Sequence, residues 1–421
     1  MANSISTQEV AETIAATTKQ NIPLLGRGRI LQKLSSLLVE GNGDVVSVFV
    51  PGYGEVTEGP SFAGVESTLD IKVDKVPVPV TIKKQGATYD ILEKTLKLNT
   101  FESQVKDPYG AKFASYVNTD VFKTIVAAAH SSIVSQTSFN DLAEAVAYVE
   151  TSRAGNQISG MLSPISKATV IGTGANKFAN DRLGEKLYRG EIGEFSGAEF
   201  FASPDAGAIR IGAVAAQAWA FAGTLESVSD GDESLGLTVA GTGAAFTLPA
   251  GTPIILGSGT AGVAGSISSV ANVADVFGND TGVARTFVVK TATEVTPGTL
   301  ANVPIAKVSL AGGMAAVPNT YYDGAGTAIP GGPCLCPLFQ GTKYYLGAVF
   351  ADNAVAFASR TPKPFGGTSD SSSFELDGEL GVRATLIPGF MSGQDQWRLD
   401  VLYGCEPLYG AGAVAVYTQA L

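Results

Sequence analysis

A single long amphipathic segment does most to limit the folds open to this chain. Residues 109–130 carry an apolar side chain at every fourth position. These positions are Phe113, Val117, Val121 and Ile125. This recurrence places the four side chains on one face of a helix, which at 1.5 Å per residue is about 33 Å long. We therefore predict a rod-like helix with one buried face.

The ends of this helix are marked by its flanking residues. Asp107 offers an N-cap oxygen, and Pro108 suits the first helical position. His130 is the only histidine among 421 residues and falls at the C-terminal end. We expect it to be solvated there and to interact with the helix dipole. A single histidine also excludes mechanisms that need several, such as multi-histidine metal sites.

The segment 45–83 has a period of two, which is typical of strands. It begins with VVSVFV and ends with the alternating run TLDIKVDKVPVPVTIK. Pro77 and Pro79 lack amide donors, so we predict a sheet edge or a freestanding hairpin. Because a two-stranded ribbon is only marginally stable alone, a neighbouring subunit is its natural support. The acidic residues of this ribbon are our candidate intersubunit contacts: Glu55, Glu58, Glu66, Asp70 and Asp74.

Helices and strands alternate after the long helix, which indicates a mixed α+β domain. Ser138 can cap a second helix, whose end is marked by Gly155. The run ISGML then predicts a strand, and Ser163-Pro164 predicts the start of a third helix. Towards the C-terminus, YYLGAVFADNAVAFASR predicts a strand followed by a short helix. Two closing strands follow, in GVRATLIPGF and WRLDVLYGCEPLY.

The composition changes between residues 206 and 333. These 128 residues hold 8 acidic, 4 basic and 21 glycine residues, and short apolar runs are separated by turn-forming residues. Short strands with such turns are typical of an all-β unit. We predict a β-barrel or sandwich that is inserted into the mixed domain.

The net charge and the N-terminal sequence disfavour several classes of function. The chain has 28 basic and 39 acidic residues, a net charge of −11, which disfavours nucleic-acid binding as its main role. The first twenty residues lack the apolar core of a secretion signal, and no stretch suits a membrane span. Cys334, Cys336 and Cys405 form no disulfide framework, so we expect reduced thiols and synthesis in a cytoplasm.

No motif gives a convincing catalytic, cofactor or metal site. Gly257, Gly259 and Gly262 have the spacing of a dinucleotide-binding loop, but the all-β surroundings favour a glycine-rich turn. The residues 280–282, Asp-Thr-Gly, resemble half of an aspartic protease site and are better explained as a turn. We therefore expect no catalytic residue, no cofactor, no metal and no enzymatic activity.

In their order along the chain, these elements resemble the major capsid (coat) proteins of tailed bacteriophages, which have the Hong Kong 97-type fold, and most closely the podovirus-like subgroup with an inserted domain. The most specific stretch is EKLYRGEIGEFSGAEFFASP, residues 185–204. The stretches VPGYGEVTEG, GAVFADNAVAFASRTP and WRLDVLYGCEPL are also similar. The inserted unit matches nothing specific.

The resemblance implies an α+β fold with an axial domain, a peripheral domain carrying a long spine helix, an extended β-hairpin loop and an N-terminal arm. The implied boundaries are 1–40 for the arm, 41–137 for the extended loop and peripheral domain, 138–222 for the first part of the axial domain, 223–319 for the inserted barrel-like domain and 320–421 for the closing axial and peripheral part.

The function implied by the resemblance is self-assembly into the icosahedral shell around the double-stranded DNA genome of a tailed phage. The expected partners are other copies of the chain in hexamers and pentamers, a scaffolding protein and a portal protein. Packaged DNA would be confined without specific binding, and no membrane would be involved. An extracellular β-rich adhesin or surface-layer protein is the alternative, and a nucleotide-dependent oxidoreductase is a distant third.

Overall fold

The computed structural model describes a discontinuous set of residues. They are 11–12, 24, 45–50, 74–79, 81–90, 107–134, 138–174, 193–211, 221–241, 243–258, 268–269, 271–277, 279–308, 320–321, 328–339, 341–360, 370–376, 380–387 and 394–419. The α-helices are α1 (Asp107–Ala128), α2 (Phe139–Ser152) and α3 (Pro164–Gly174). Short 3-10 helices lie at Pro204–Ala206 and Gly410–Gly412. Within these ranges, no helix has both the length and the apolar character needed to cross a membrane.

Strands make up most of the remaining secondary structure. In chain order they are β1 (Val45–Val50), β2 (Asp74–Pro79), β3 (Thr81–Asp90), β4 (Ser131–Val134), β5 (Ile158–Leu162), β6 (Gly193–Phe195), β7 (Ala198–Ala202), β8 (Ala208–Arg210), β9 (Ala222–Leu225), β10 (Val228–Ser229), β11 (Ser234–Val239), β12 (Phe246–Leu248), β13 (Pro253–Ser258), β14 (Ser268–Ser269), β15 (Asn272–Ala274), β16 (Asp280–Ala284), β17 (Thr286–Val288), β18 (Thr293–Val295), β19 (Leu300–Pro304), β20 (Thr320–Tyr321), β21 (Ala328–Ile329), β22 (Gly332–Leu335), β23 (Lys343–Ala351), β24 (Val355–Arg360), β25 (Asp370–Leu376), β26 (Leu380–Ile387), β27 (Gln394–Pro407) and β28 (Ala413–Gln419).

The first large sheet, here called the mixed sheet, has both parallel and antiparallel pairs. Its order is β4-β28-β23-β5-β7-β6, and β8 also pairs with β23. The pairs β4–β28 and β5–β7 are parallel. Alternate residues of β28 face opposite sides: Ala415 and Tyr417 belong to the apolar core around α1, whereas Val414 and Val416 pack in a second core with α2. Helices thus cover both faces of the mixed sheet.

The second large sheet, here called the antiparallel sheet, is centred on the 14-residue strand β27. One edge of β27 pairs with β26, which continues to β25. The same edge pairs with β24 over residues 402–407, and the opposite edge pairs with β3 over residues 394–403. Leu399 and Val401 of β27 are buried in the core that contains α1. The antiparallel sheet therefore rests on the long helix.

The predicted inserted unit contains a closed β-barrel. Its strands follow the order β13-β22-β9-β11-β19, and β17 pairs with β13 at the other end of this series. An antiparallel bridge between Val289 and Ile305 joins the ends of β17 and β19 and closes the ring. Closure removes exposed edges. β22 lies beyond residue 319, yet it separates β9 from β13 inside this barrel.

Helix α1 lies where these three units meet. It contacts β24 and β27 of the antiparallel sheet, β23 and β28 of the mixed sheet, and β17 of the barrel. The four residues of the predicted apolar face are all buried, with Val117, Val121 and Ile125 at 0% exposure and Phe113 at 4%. The predicted helix and its buried face are confirmed.

Several local predictions can be compared with the observed elements. α2 and α3 begin after Ser138 and Ser163 as predicted, and the Asp141 carboxylate accepts the Ser138 N–H at 3.0 Å. α2 ends at Ser152, before Gly155, where Arg153 takes a left-handed conformation with φ 54°. The predicted helix within YYLGAVFADNAVAFASR is wrong, because residues 355–360 form the strand β24, which pairs with β27 along its whole length.

We expect Val121→Asp to destabilise the subunit itself. An uncompensated carboxylate on the buried face of α1 costs on the order of several kcal/mol, comparable with the stability of a domain. The measurement is soluble yield and thermal unfolding of purified protein. Ala111→Asp is the matched control, because Ala111 lies on the exposed side of α1. Equal yields and melting midpoints for the two variants would contradict the burial of this face.

We expect a fragment spanning residues 221–338 to fold better than one spanning residues 223–319. The shorter fragment lacks β22, so β9 and β13 lose their common neighbour and the barrel cannot close. Amide NMR spectra of the two fragments provide the measurement, with dispersed resonances expected only for the longer one. A well-dispersed spectrum for residues 223–319 would support the boundary predicted from composition.

Candidate functional site

The predicted ribbon is an antiparallel pair of strands. β1 and β2 pair from Val45↔Pro79 to Val50↔Asp74 and, within the described residues, only with each other. The two-stranded ribbon is thus confirmed. Of the candidate contact residues, Asp74 opens β2. The other four, Glu55, Glu58, Glu66 and Asp70, lie outside the described residues.

The prolines of β2 make the two edges of the ribbon chemically different. Pro77 and Pro79 pair with Ser47 and Val45. Alternate residues of a strand direct their amide nitrogens towards opposite neighbours, and proline has no N–H to donate. The pairing with β1 is maintained only if both proline nitrogens face away from β1. The outer edge of β2 therefore lacks two donors that a further strand would need.

The ribbon is joined directly to the antiparallel sheet. β2 ends at Pro79 and β3 begins at Thr81. From there β3 pairs with β27 over ten residues, from Thr81↔Tyr403 to Asp90↔Gln394. A displacement of the ribbon would therefore act on the central strand of the sheet that rests on α1.

A buried group of charges links the inner strands of this sheet. The Asp400 carboxylate on β27 is fully buried and accepts two hydrogen bonds from Arg383 on β26, at 2.9 and 2.6 Å. Its other oxygen accepts a bond from Arg398 Nε at 2.8 Å. Arg383 and Asp400 are direct cross-strand neighbours. A slip of register between β26 and β27 would separate buried charges, so this group fixes the pairing.

The opposite face of β27 is tied to the long helix by a tyrosine. The Tyr403 hydroxyl donates to Asp120 of α1 at 2.9 Å, and its ring stacks on Phe357 of β24 at 5.6 Å. Burial, followed by the nearby Asp120 carboxylate, raises the pKa of Tyr403 far above its ordinary value. The phenol therefore stays protonated and remains a hydrogen-bond donor.

The N-terminal half of α1 is held by polar groups near the mixed sheet. Asn118 Nδ2 donates to Asp205 at 2.7 Å and to Ser203 Oγ at 3.1 Å. Ser115 Oγ donates to the other oxygen of Asp205 at 2.6 Å. These bonds fix α1 against the 3-10 helix that follows β7.

The barrel is attached to the rest of the subunit at the C-terminal end of α1. The Thr286 N–H donates to the His130 carbonyl at 2.8 Å, and the Tyr417 hydroxyl on β28 donates to the Gly251 carbonyl at 2.7 Å. His130 is buried at 2% exposure, so the expectation of a solvated histidine is wrong. The reason is tertiary: the chain around Gly410 packs against the imidazole.

A second attachment joins the barrel region to α2. Asp275 accepts the N–H groups of Phe277 and Asn279 at 2.9 and 2.8 Å, and its carboxylate lies 3.9 Å from Arg153 Nε. The Val276 N–H donates to the Ser152 carbonyl at the end of α2. The loop after β15 is therefore ordered by one carboxylate and held on the helix terminus.

The residues considered for chemistry have structural roles in the described part of the chain. Gly257 lies on the antiparallel barrel strand β13, which does not suit a βαβ nucleotide site, and Gly259 and Gly262 lie outside the described residues. Asp280 accepts the Gly282 N–H at 2.8 Å in the start of β16. No cluster of potential metal ligands occurs among the described residues.

The three cysteines are free thiols. Burial is the main cause that raises the pKa of Cys334 and of Cys336 to about 12, and it also raises the pKa of Cys405. A reactive cysteine needs a lowered pKa and an accessible sulfur. These thiols are therefore poor nucleophiles.

One carboxyl group lies where β27 approaches the barrel. Burial raises the pKa of Glu406, the charge of Lys290 lowers it, and the charge of Glu233 raises it again. The net effect is a raised pKa, because burial and Glu233 together outweigh Lys290. Because folding favours the protonated form, ionised Glu406 reduces stability as the pH rises through its folded-state pKa.

We therefore expect Glu406→Gln to raise the melting midpoint of the subunit at neutral pH. The difference from the natural chain should shrink on acidification and vanish at about pH 4 and below, where an unperturbed glutamate also protonates. Thermal unfolding followed between pH 4 and 8 measures this gap. A lower midpoint for the variant at neutral pH would instead mean that attraction to Lys290 dominates.

Comparisons with known proteins give similarities at the level of solved structures only. No protein-family description and no curated protein sequence matches the chain. Similar structures include a virus-like particle from Pyrococcus furiosus, with 8% identity, 97% of each chain covered and a TM-score of 0.40. The capsid of Cyanophage P-SCSP1u (10% identity, 90% of this chain and 84% of that chain, TM-score 0.41) and the capsid of Ralstonia phage GP4 (8%, 90% and 84%, 0.42) are also similar. At these values the likeness does not by itself assign a function.

Proposed function

We propose that this chain is a major capsid protein of the Hong Kong 97 type, which self-assembles into the icosahedral shell around the double-stranded DNA genome of a tailed bacteriophage. The observation that carries the proposal is the two-stranded ribbon β1–β2 and its direct connection to β27 through β3. A two-stranded ribbon is marginal in isolation, and burial against another copy stabilises it. The rigid sheet and helix at its base would transmit that contact to the whole subunit.

The order of the elements supports this proposal. A ribbon, a 22-residue helix, a mixed sheet, a barrel and then the return to both sheets follow one another as the sequence resemblance implies. The Gly-x-Phe-x-Gly step is the tight hairpin β6–β7, where Ser196 and Gly197 have φ 52° and 81°. Positive φ at both central residues is typical of a type I′ turn. The similar stretch at residues 397–408 is mostly the strand β27.

The net charge of the chain suits a shell that encloses DNA. A net charge of −11 repels packaged DNA and so confines it without specific binding. No observation among the described residues favours the adhesin alternative. A subunit of this kind is synthesised in the host cytoplasm and is located in the virion.

Finer parts of the proposal rest on the resemblance. They are the podovirus-like subgroup, the arrangement in hexamers and pentamers, the partners scaffolding protein and portal protein, and the five domain boundaries. The ribbon's acidic residues would contact Lys or Arg of another copy. Because each such contact is repeated throughout a shell, a small change in one subunit has a large effect on assembly.

Negative-stain microscopy and size-exclusion chromatography of the full-length protein test the proposal. We expect shells or polyhedral fragments from the natural chain. The double variant Glu58→Lys plus Glu66→Lys should melt nearly as the natural subunit does, yet give a much lower particle yield. Its reversed charges would face basic groups of the neighbour, which costs more than loss of the pair.

The matched control is Glu226→Lys plus Glu294→Lys, which changes the net charge equally at exposed positions of the barrel region. We expect its particle yield to stay close to that of the natural chain. A 43.2 kDa monomer under all conditions would refute the capsid proposal. Normal assembly of the Glu58 and Glu66 variant would refute only the role of the ribbon's charges.

A further inference from the structure

Arg285 is a buried cation at the corner between two sheets. It joins β16, a strand of the small sheet β16-β15-β20, to the barrel strand β17. Its backbone N–H donates to the Ala271 carbonyl at 2.9 Å. Arg285 is only 2% exposed, and its guanidinium carbon lies 5.0 Å from the centre of the Phe287 ring.

The arginine side chain is directed towards the barrel interior. Phe287 pairs with Ile254 on β13, and both are fully buried in the barrel core. Residues two apart on a strand share a face, and the contact between the guanidinium and the Phe287 ring agrees with this placement. Arg285 therefore lies at one end of an apolar barrel lining.

No group of the described chain balances this charge. Arg285 Nε and Nη1 are buried and have no hydrogen-bond acceptor, so three of the five N–H donors of the guanidinium are unmet. Burial lowers the pKa of Arg285, and no carboxylate offsets that effect. The aromatic ring is its one favourable contact among the described residues, and a cation over a ring is worth only a few kcal/mol at most.

The other buried arginine among the described residues has a carboxylate partner. Arg383 is 5% exposed and is held by the buried carboxylate of Asp400 through two hydrogen bonds. Arginine cannot escape burial by losing its proton in a protein. A buried charge without a partner is strongly destabilising. Arg285 therefore requires an acceptor that the described residues do not supply.

We propose that Arg285 is the binding residue for a small oxyanion, such as inorganic phosphate, at the seam between the barrel and the β16-β15-β20 sheet. Several acceptor oxygens on one anion can meet donors on two guanidinium nitrogens at once. The strand that leads to Arg285 reaches the solvent, since the preceding residue Ala284 is partly exposed and Asp280 at the start of β16 is exposed. This inference is independent of the capsid proposal.

Thermal unfolding of the full-length protein in increasing phosphate tests the site. Chloride at matched ionic strength separates oxyanion binding from general screening. A ligand that binds only the folded state raises the melting midpoint in proportion to the logarithm of its concentration above Kd, and we expect a rise of at least about 2 °C in phosphate. Arg285→Met should abolish this response and should melt no lower than the natural chain without phosphate, since an apolar side chain of similar size removes the unpaired charge.

Arg210→Met is the control, because Arg210 is exposed and donates to the Gly341 carbonyl at the edge of the mixed sheet. It should keep the full phosphate response. Equilibrium dialysis of the natural chain with radiolabelled phosphate gives a readout that does not depend on the folding of any variant, and we expect one phosphate per chain. No binding in dialysis, an equal effect of chloride, or an unchanged response in Arg285→Met would overturn the proposal.

Discussion

Burial of α1 is the interaction on which the rest of this subunit depends. The helix contacts the antiparallel sheet, the mixed sheet and the barrel, so its buried side chains are shared by all three units. Apolar burial is non-directional and would by itself allow the three units to slide along the helix. Its orientation is fixed by polar groups at defined points: Asp120 with Tyr403, and Asn118 with Asp205.

Within the sheets, too, apolar residues supply the burial and polar groups fix the geometry. Alternating apolar residues such as Val414 and Ala415 supply the burial energy on the two faces of the mixed sheet. In the antiparallel sheet, Asp400 holds Arg383 across the strand pair and makes any other register costly. A precise register matters because β3, which carries the ribbon, pairs with the same strand β27. The geometry of the proposed contact arm is thus set by groups buried well away from it.

The barrel is an attached unit that shares the core of the subunit. Its strand β17 contacts α1, and its apolar residues belong to the same cluster as that helix. The Tyr417 hydroxyl on β28 attaches the barrel through the Gly251 carbonyl, and the loop at Asp275 is attached to the end of α2 through Arg153 and Ser152. In a shell, a barrel held in this way would move with its subunit. Arg285 directly precedes Thr286, whose N–H donates to the His130 carbonyl at the end of α1, so an anion bound at Arg285 would strengthen this junction.

Local patterns in the sequence determined the elements whose formation depends on near neighbours. The four-residue recurrence at Val117 and Val121 identified α1 and its buried face. The alternation over residues 45–83 identified the ribbon, and its two prolines marked it as an edge or a freestanding hairpin. Turn residues with short apolar runs identified an all-β unit. These signals act through backbone sterics, periodicity and capping, all of which are read within a few residues.

Tertiary structure decided the features that depend on distant partners. The burial of His130, the placement of β22 inside the barrel, and the strands β4 and β28 follow from packing between segments far apart in sequence. The strand β24 replaced a predicted helix because its backbone pairs with the distant strand β27. Arg383 and Arg285 are both isolated basic residues in the sequence. Only the fold shows that Arg383 is paired with Asp400 and that Arg285 is buried with no counter-charge among the residues described, because charge pairing is set by distances in space that neither spacing nor composition encodes.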